Sequence, residues 1–193
     1  MPWSIEADGD RKEIEDLRIA LDKASNKNII LFCAIFDKGN ATPDNLYPGC
    51  MPTVISIGAA TSTGGFSAIV QSLPAIVQSR NVQFILPGED VEIDEKKNTA
   101  DGSSIATALA AGMAAMLLHC TDKVMPEARR MEYYTPAAIS RVFSNMGGTP
   151  VSMPRVREYF GGHRHEFWQQ RLNTGEWKDL LRQIMLQTRI LGL

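Results

Sequence analysis

Cysteine is scarce in this sequence, and neither sign of charge dominates it. The 193 residues include three cysteines, Cys33, Cys50 and Cys120, an odd and sparse set that excludes a disulfide-rich secreted scaffold. The formal net charge is −2 at pH 7. The chain therefore lacks the basic excess that nucleic-acid binding requires, and we expect no nucleic-acid partner.

Several other features are missing as well. The sequence has no CxxC pair and no Cys/His cluster at metal spacing, so we expect no metal and no cofactor. We find no Asp/Asn cluster at the loop spacing of a calcium site. No run reaches the length of about 18 apolar residues that a membrane span needs. The first residues become acidic at Glu6, unlike a signal peptide, so we expect a cytoplasmic protein with no membrane partner.

What the sequence does contain is a pattern typical of an α/β fold. Residues 29–34, 53–59 and 81–86 are short runs that stay apolar instead of alternating, which is typical of strands buried on both faces of a parallel sheet. Residues 10–26 have the spacing of an amphipathic helix, and residues 103–120 form the most apolar helix candidate. We expect a mostly parallel sheet with both helices packed on it.

The helix at residues 103–120 consists almost entirely of Ala, Leu, Met and Gly, so we expect it to be buried on most sides. His119, late in this helix, is expected to be a packed core residue. Thr135 and Pro136 have the residue types of a helix N-cap and first turn, and a further helix is expected to run from there to the glycines at 147 and 148.

The chain changes character near its C-terminal end. We divide it into residues 1–148 and a charged tail, residues 149–193, which we expect to be helical and to pack poorly on the rest. Trp168 and Trp177 in this tail are candidates to cover apolar surface on the first part.

A serine pair begins the apolar helix, in the segment Asp101-Gly102-Ser103-Ser104-Ile105-Ala106. Gly102 permits close approach of the backbone to a ligand. The first N–H groups of a helix have no partner within it, and the positive end of the helix dipole favours a developing oxyanion. A serine N-cap on a core helix explains the same residues without catalysis.

The order of several segments favours the catalytic interpretation. Gly102-Ser103-Ser104-Ile105-Ala106 resembles the nucleophile motif of the subtilisin-like serine proteases, Gly-Thr-Ser-Met-Ala. Upstream, Leu86-Pro87-Gly88 resembles the family's Ala-Pro-Gly strand end. The matches further upstream are Tyr47-Pro48-Gly49 with Ile57-Gly58-Ala59, Phe32-Cys33-Ala34 with Asp37-Lys38-Gly39, and Met1-Pro2-Trp3-Ser4. The resemblance covers residues 1 to about 146, in the family's order. It implies an α/β fold corresponding to the C-terminal lobe of a subtilisin-like domain, followed by a helical tail.

The resemblance assigns the nucleophile to Ser104 and an oxyanion-hole side chain to Asp37. In the other register Asn40 takes that position, but Asp37 follows the strand end more directly. An ionised Asp cannot donate a hydrogen bond, so Asp37 would have to be protonated. Ser103 takes the place of the family's Thr, while Ala108 and Leu109 stand where the family has Pro and His.

The catalytic Asp and His of the family have no counterpart in this sequence, because both precede the serine in the family's order. The histidines here are His119, His163 and His165, and all follow Ser104. Three hypotheses remain. The chain is a fragment of a serine endopeptidase, inactive alone, whose partners are a peptide or protein substrate and a missing N-terminal lobe. Alternatively, it is a catalytically inactive subtilase-like interaction module, or an α/β domain with accidental matches.

Overall fold

The computed structural model describes residues 1–7, 12–35, 43–71, 81–147, 153–154 and 182. The strands are β1 (Ile5–Glu6), β2 (Leu31–Ala34), β3 (Leu46–Tyr47), β4 (Val54–Ala60), β5 (Phe84–Pro87), β6 (Val91–Glu92) and β7 (Thr99–Ala100). The helices are α1 (Lys12–Ser25), α2 (Ala68–Gln71), α3 (Ser103–Val124), α4 (Glu127–Arg130) and α5 (Pro136–Asn145). Short 3-10 turns occupy Pro43–Asn45 and Met131–Tyr133.

The centre of the fold is a parallel sheet in the order β2-β4-β5. Leu31 pairs with Val54 at one end of the first ladder, and Ala60 pairs with Pro87 at one end of the second. All seven residues of β4 are buried, as the continuous apolar run predicted. The three expected strands are therefore neighbours and parallel, which confirms the predicted fold class.

Helices cover both faces of this sheet. On one face α3 and α5 pack against alternate strand residues, including Phe32, Ile55 and Phe84. On the other face Leu21 of α1 joins Cys33 and Val54 in a second cluster. Both predicted helices therefore pack on the sheet, and the described part of the fold has three layers.

The burial of α3 differs from the expectation. The residues that face the sheet are buried: Ser103, Ala106, Thr107, Ala110, Ala114, Leu117, Thr121 and Val124. The opposite face is exposed, and Leu109 and Met116 keep 42% and 44% of their surface. The prediction that this helix is buried on most sides is wrong, because within the described chain the sheet covers one side and nothing covers the other. His119 is exposed on that open side, so its assignment to the core is also wrong.

By length and composition alone, α3 could cross a membrane, because its 22 residues include a window of mean hydropathy 1.5. The expectation that no segment reaches this composition is therefore also wrong. Its polar Ser103 and Thr107 face the sheet, and the Thr107 hydroxyl donates to the carbonyl of Ser103 at 2.7 Å. In this fold α3 is thus packed as a sheet-covering helix.

The last described helix begins as the sequence predicted. Thr135 is the N-cap of α5, and its hydroxyl accepts a hydrogen bond from the backbone N–H of Ala138 at 3.1 Å. Phe143 is fully buried, with its ring 5.4 Å from that of Phe84 and 6.2 Å from that of Phe32. These aromatic contacts fix α5 against the same sheet face as α3.

Little of the predicted tail lies within the described residues. Met153 packs against the cluster around Ile85, and Pro154 is buried. The Arg182 guanidinium donates two hydrogen bonds, of 3.0 and 3.2 Å, to the carbonyl oxygen of Val124 at the end of α3. Trp168, Trp177, His163 and His165 lie outside the described residues.

Candidate active site

Two contacts between distant parts of the chain fix the start of α3 over the sheet. The Ser103 hydroxyl oxygen accepts a hydrogen bond from the backbone N–H of Ala59 in β4, at 3.1 Å. The backbone N–H of Gly102 donates to the carbonyl oxygen of Gly88, just beyond β5, at 2.8 Å. Ala59 and Gly88 both lie at the carboxyl ends of their strands, the edge at which ligands bind in open parallel sheets.

The contact at Gly88 requires glycine. A Cβ atom at this position would lie 2.7 Å from the Cβ of Ala59 and 2.8 Å from the carbonyl oxygen of Gly102. Gly102 itself has a φ of 132°, a backbone conformation that residues with a side chain rarely adopt. Two glycines thus allow the loop after β5 and the start of α3 to meet at backbone distance.

Ser104 is the second residue of α3 and is partly exposed, whereas its neighbour Ser103 is fully buried. The first backbone bonds of the helix run from Ile105 and Ala106 to the carbonyl of Gly102. The N–H group of Ser104 precedes these bonds and has no acceptor within the helix. The Ser104 hydroxyl therefore lies beside an N–H donor at the positive end of a 22-residue helix dipole.

The two candidates for the oxyanion-hole side chain, Asp37 and Asn40, lie outside the described residues. The strand that precedes them ends at Ala34, and the backbone N–H of Ile35 still donates to the carbonyl of Ile57 in β4. The end of β2 thus lies at the same edge of the sheet as Gly88 and Ala59, because all three strands are parallel.

None of the cysteines is an activated nucleophile. Burial raises the pKa of Cys33 to about 12 and also raises the pKa values of Cys50 and Cys120. A thiol reacts as its thiolate, so all three remain protonated and unreactive near neutral pH. Ser104 is partly exposed and lies beside a backbone N–H donor at the start of α3, the kind of donor that acyl transfer needs.

The sequence interpretation missed the part that Ser103 has in this arrangement. It treated Ser103 as a conservative substitute for the family's Thr, without a contact of its own. The available signal in the sequence was the hydroxyl of Ser103 itself. A hydroxyl oxygen next to the exposed serine can accept a hydrogen bond from the backbone N–H of a strand. The partner, Ala59, lies 44 positions away and is identified by the fold.

Replacing Ser103 with Ala should lower the free energy of unfolding by about 2 kcal/mol, because the buried N–H of Ala59 loses its acceptor. Urea unfolding followed by circular dichroism measures this loss. Ser104→Ala is the matched control, since it removes a hydroxyl from a partly exposed neighbour, and its unfolding midpoint should stay near that of the parent chain. Equal midpoints for both variants would contradict the anchoring contact.

Comparison with known proteins identifies the family. The model of the subtilase family matches residues 4–161, well over half of the chain. The chain belongs to the subtilase family. The resemblance predicted from Ser104 and the upstream segments is thus confirmed at the level of the family.

This subtilase chain is similar to two proteins, one curated relative and one solved structure. It is 30% identical over 115 residues to an intracellular serine protease of Paenibacillus polymyxa, a match that covers 56% of this chain and 33% of that protein. It also resembles the solved structure of the prenylagaramide maturation protease PagA, with a TM-score of 0.50 and 22% identity, over 75% of this chain and 47% of that one. The second match supports the fold. This subtilase chain thus spans about a third of the curated relative and about half of the structural one.

Proposed function

We propose that this chain is part of a serine endopeptidase, in which Ser104 is the nucleophile and a peptide or protein is the substrate. The observation that supports this most directly is the anchored start of α3. There Ser103 and Gly102 bond to the strand edges while Ser104 stays accessible in the first turn of the helix. Family membership and the 30% identity to a serine protease support the same reaction class.

In the proposed reaction, the Ser104 oxygen attacks the scissile carbonyl carbon and its proton passes to a base. The carbonyl oxygen becomes an oxyanion, which the N–H of Ser104 stabilises by donating a hydrogen bond. Asp37 in its protonated form, or Asn40 in the other register, would supply the second donor. The base then protonates the leaving amine, and water hydrolyses the acyl-enzyme.

In this proposal the Asp and His of the mechanism lie outside this sequence, since the described histidine, His119, is far from Ser104 and no histidine precedes the serine in the family's order. We propose that they belong to an N-terminal lobe, supplied upstream of Met1 or by a separate polypeptide. The coverage of a third to a half of the relatives' lengths supports this. We propose a cytoplasmic location, in keeping with the curated relative's description as an intracellular protease.

A catalytically inactive interaction module is the second candidate function. It is favoured by the position of His119, the one histidine among the described residues, which is exposed on α3 and lies 15 residues from Ser104. With a rise of 1.5 Å per residue, the two Cα atoms are about 22 Å apart, far beyond hydrogen-bond reach. A module of this kind would keep the substrate groove and have no turnover.

Covalent labelling distinguishes these functions. A fluorophosphonate probe is added to the chain in the presence of a polypeptide that carries the Asp and His segments of a subtilase domain, or to a longer chain that carries those segments upstream of Met1. We expect labelling of the chain, and no labelling of Ser104→Ala under the same conditions. Labelling that persists in Ser104→Ala would reject Ser104 as the nucleophile. A lack of labelling in the longer chain would favour the interaction module.

A further inference from the structure

A side chain takes the place of a backbone bond near the base of the hairpin formed by β6 and β7. The ladder of this hairpin ends with Val91 paired to Ala100. One residue closer to the sheet, the backbone N–H of Asp90 donates a hydrogen bond to a carboxylate oxygen of Asp101, at 2.6 Å. An ionised carboxylate is a stronger acceptor than the neutral carbonyl of a backbone ladder. Asp101 therefore joins the two strands between the end of the ladder and the contact at Gly88.

The backbone of Asp90 has a conformation that residues with a side chain rarely adopt. Its φ is 53°, in the left-handed region. Such a conformation persists where neighbouring contacts hold it in place. At this position the holding contact is the bond to Asp101. Without that acceptor the Asp90 backbone would relax toward the ordinary region, and the loop after β5 would shift relative to the start of α3.

Asp101 also directly precedes a residue with unusual freedom at the start of α3. Gly102 has a φ of 132° and the wide backbone range of glycine, and Ser104 follows two residues later. The N–H of Gly102 donates to the carbonyl oxygen of Gly88 at 2.8 Å. Two bonds, one to Gly88 and one from Asp90, thus restrain the residues on both sides of the peptide that joins Asp101 to Gly102.

We propose that Asp101 is a positioning residue for the reaction of Ser104. Its carboxylate fixes the loop at Asp90, and this loop together with Gly102 fixes the first turn of α3. The N–H and the hydroxyl of Ser104 then hold the orientation that attack and oxyanion binding require. Asp101 acts through the backbone and not on the substrate. The effect on the reaction rests on the proposed function, whereas the contact itself is a property of this chain.

Hydrogen exchange in the 193-residue chain alone tests the contact. Asp101→Ala should raise the exchange rate of the Asp90 amide, measured by NMR, by at least about tenfold, because that N–H loses its acceptor. Asp101→Asn should retain most of the protection, since its amide oxygen can accept the same bond. Both substitutions remove the negative charge, so the difference between them isolates the hydrogen bond.

Labelling of Ser104 tests the consequence for the reaction. The chain is joined upstream of Met1 to the Asp and His segments of a subtilase domain, and the rate of fluorophosphonate labelling is followed at several probe concentrations. Asp101→Ala should lower the maximal rate by at least about tenfold, and Asp101→Asn should return it to within about threefold of the parent. The probe concentration that gives half the maximal rate should change little, because in this proposal Asp101 does not contact the probe.

Asp94→Ala is the matched control within the same hairpin. The Asp94 carboxylate accepts hydrogen bonds from the backbone N–H groups of Lys96 and Asn98, each at 3.0 Å. These bonds resemble that of Asp101 in kind, but they organise the tip of the hairpin, at the end away from Ser104. Asp94→Ala should raise amide exchange at Lys96 and Asn98, and it should leave the labelling rate of Ser104 unchanged.

The outcomes separate this proposal from the proposed function. Equal maximal rates in Asp101→Ala and its parent would overturn the positioning role, and so would an equal loss of rate in Asp94→Ala. Rapid exchange of the Asp90 amide in the unsubstituted chain would also overturn it, because the restraint would then be absent. If the unsubstituted joined chain is not labelled at all, the proposed function fails, and the positioning role fails with it.

Discussion

The 193-residue chain alone is expected to hydrolyse no peptide substrate above background and to resist a fluorophosphonate probe. A serine hydroxyl is a poor nucleophile at neutral pH until a positioned base accepts its proton. The dipole of α3 and the N–H of Ser104 stabilise an oxyanion, but neither can accept that proton. In subtilisin, which belongs to the same family, loss of the catalytic histidine alone lowers turnover by about a millionfold. The isolated chain should show a deficit of that order.

The structure removes one possible substitute base. His119 is about 22 Å from Ser104 along the axis of a continuous helix, and no rotamer change can close that gap. Turnover is measured with a fluorogenic peptide library, and labelling with the fluorophosphonate probe, using Ser104→Ala as the blank for both. Strong labelling of the unmodified chain that disappears in Ser104→Ala would contradict this prediction. It would show that a base within this chain, such as His163 or His165, reaches the serine.

The sheet could be predicted from the sequence because its signals are local. β2, β4 and β5 come from runs that are apolar throughout, and no distant residue is needed to recognise a strand buried on both faces. Thr135 likewise predicts the start of α5, since an N-cap bonds a residue three positions on. The open side of α3 could not be predicted in this way. The composition of α3 indicates a helix that is suited to burial. It does not show whether other residues of the chain cover both sides of that helix.

The same distinction between local signals and long-range contacts applies to the candidate site. The position of Ser104 at the start of a helix follows from residues 101–112 alone, and the structure places it there. What holds that start in place is long-range, since Ser103 bonds to a strand residue 44 positions earlier and Gly102 bonds to Gly88. In the sequence these three positions can be recognised by residue type, since one is a serine and two are glycines. Their partners follow only from the order and register of the parallel strands.

Gly88→Ala should destabilise the chain more than alanine at Gly49, Gly58, Gly65 or Gly112, with a loss of about 3 kcal/mol in the free energy of unfolding. The new Cβ would fall 2.7 Å from the Cβ of Ala59 and 2.8 Å from the carbonyl oxygen of Gly102. Neither atom belongs to a flexible side chain, so relief requires the loop after β5 to move away from the start of α3. That movement would also weaken the bond from Gly102 to Gly88.

Urea unfolding followed by circular dichroism measures the effect as a lower midpoint with an unchanged slope. Gly65→Ala is the matched control, because a Cβ at Gly65 meets nothing within 4 Å, and its midpoint should stay within error of the parent. When Asp and His segments of a subtilase domain are joined upstream of Met1, as in the labelling experiment above, Gly88→Ala should also slow labelling of Ser104, while Gly65→Ala should not. Unchanged stability and labelling in Gly88→Ala would mean that the backbone contact between Gly88 and Gly102 does not position the nucleophile.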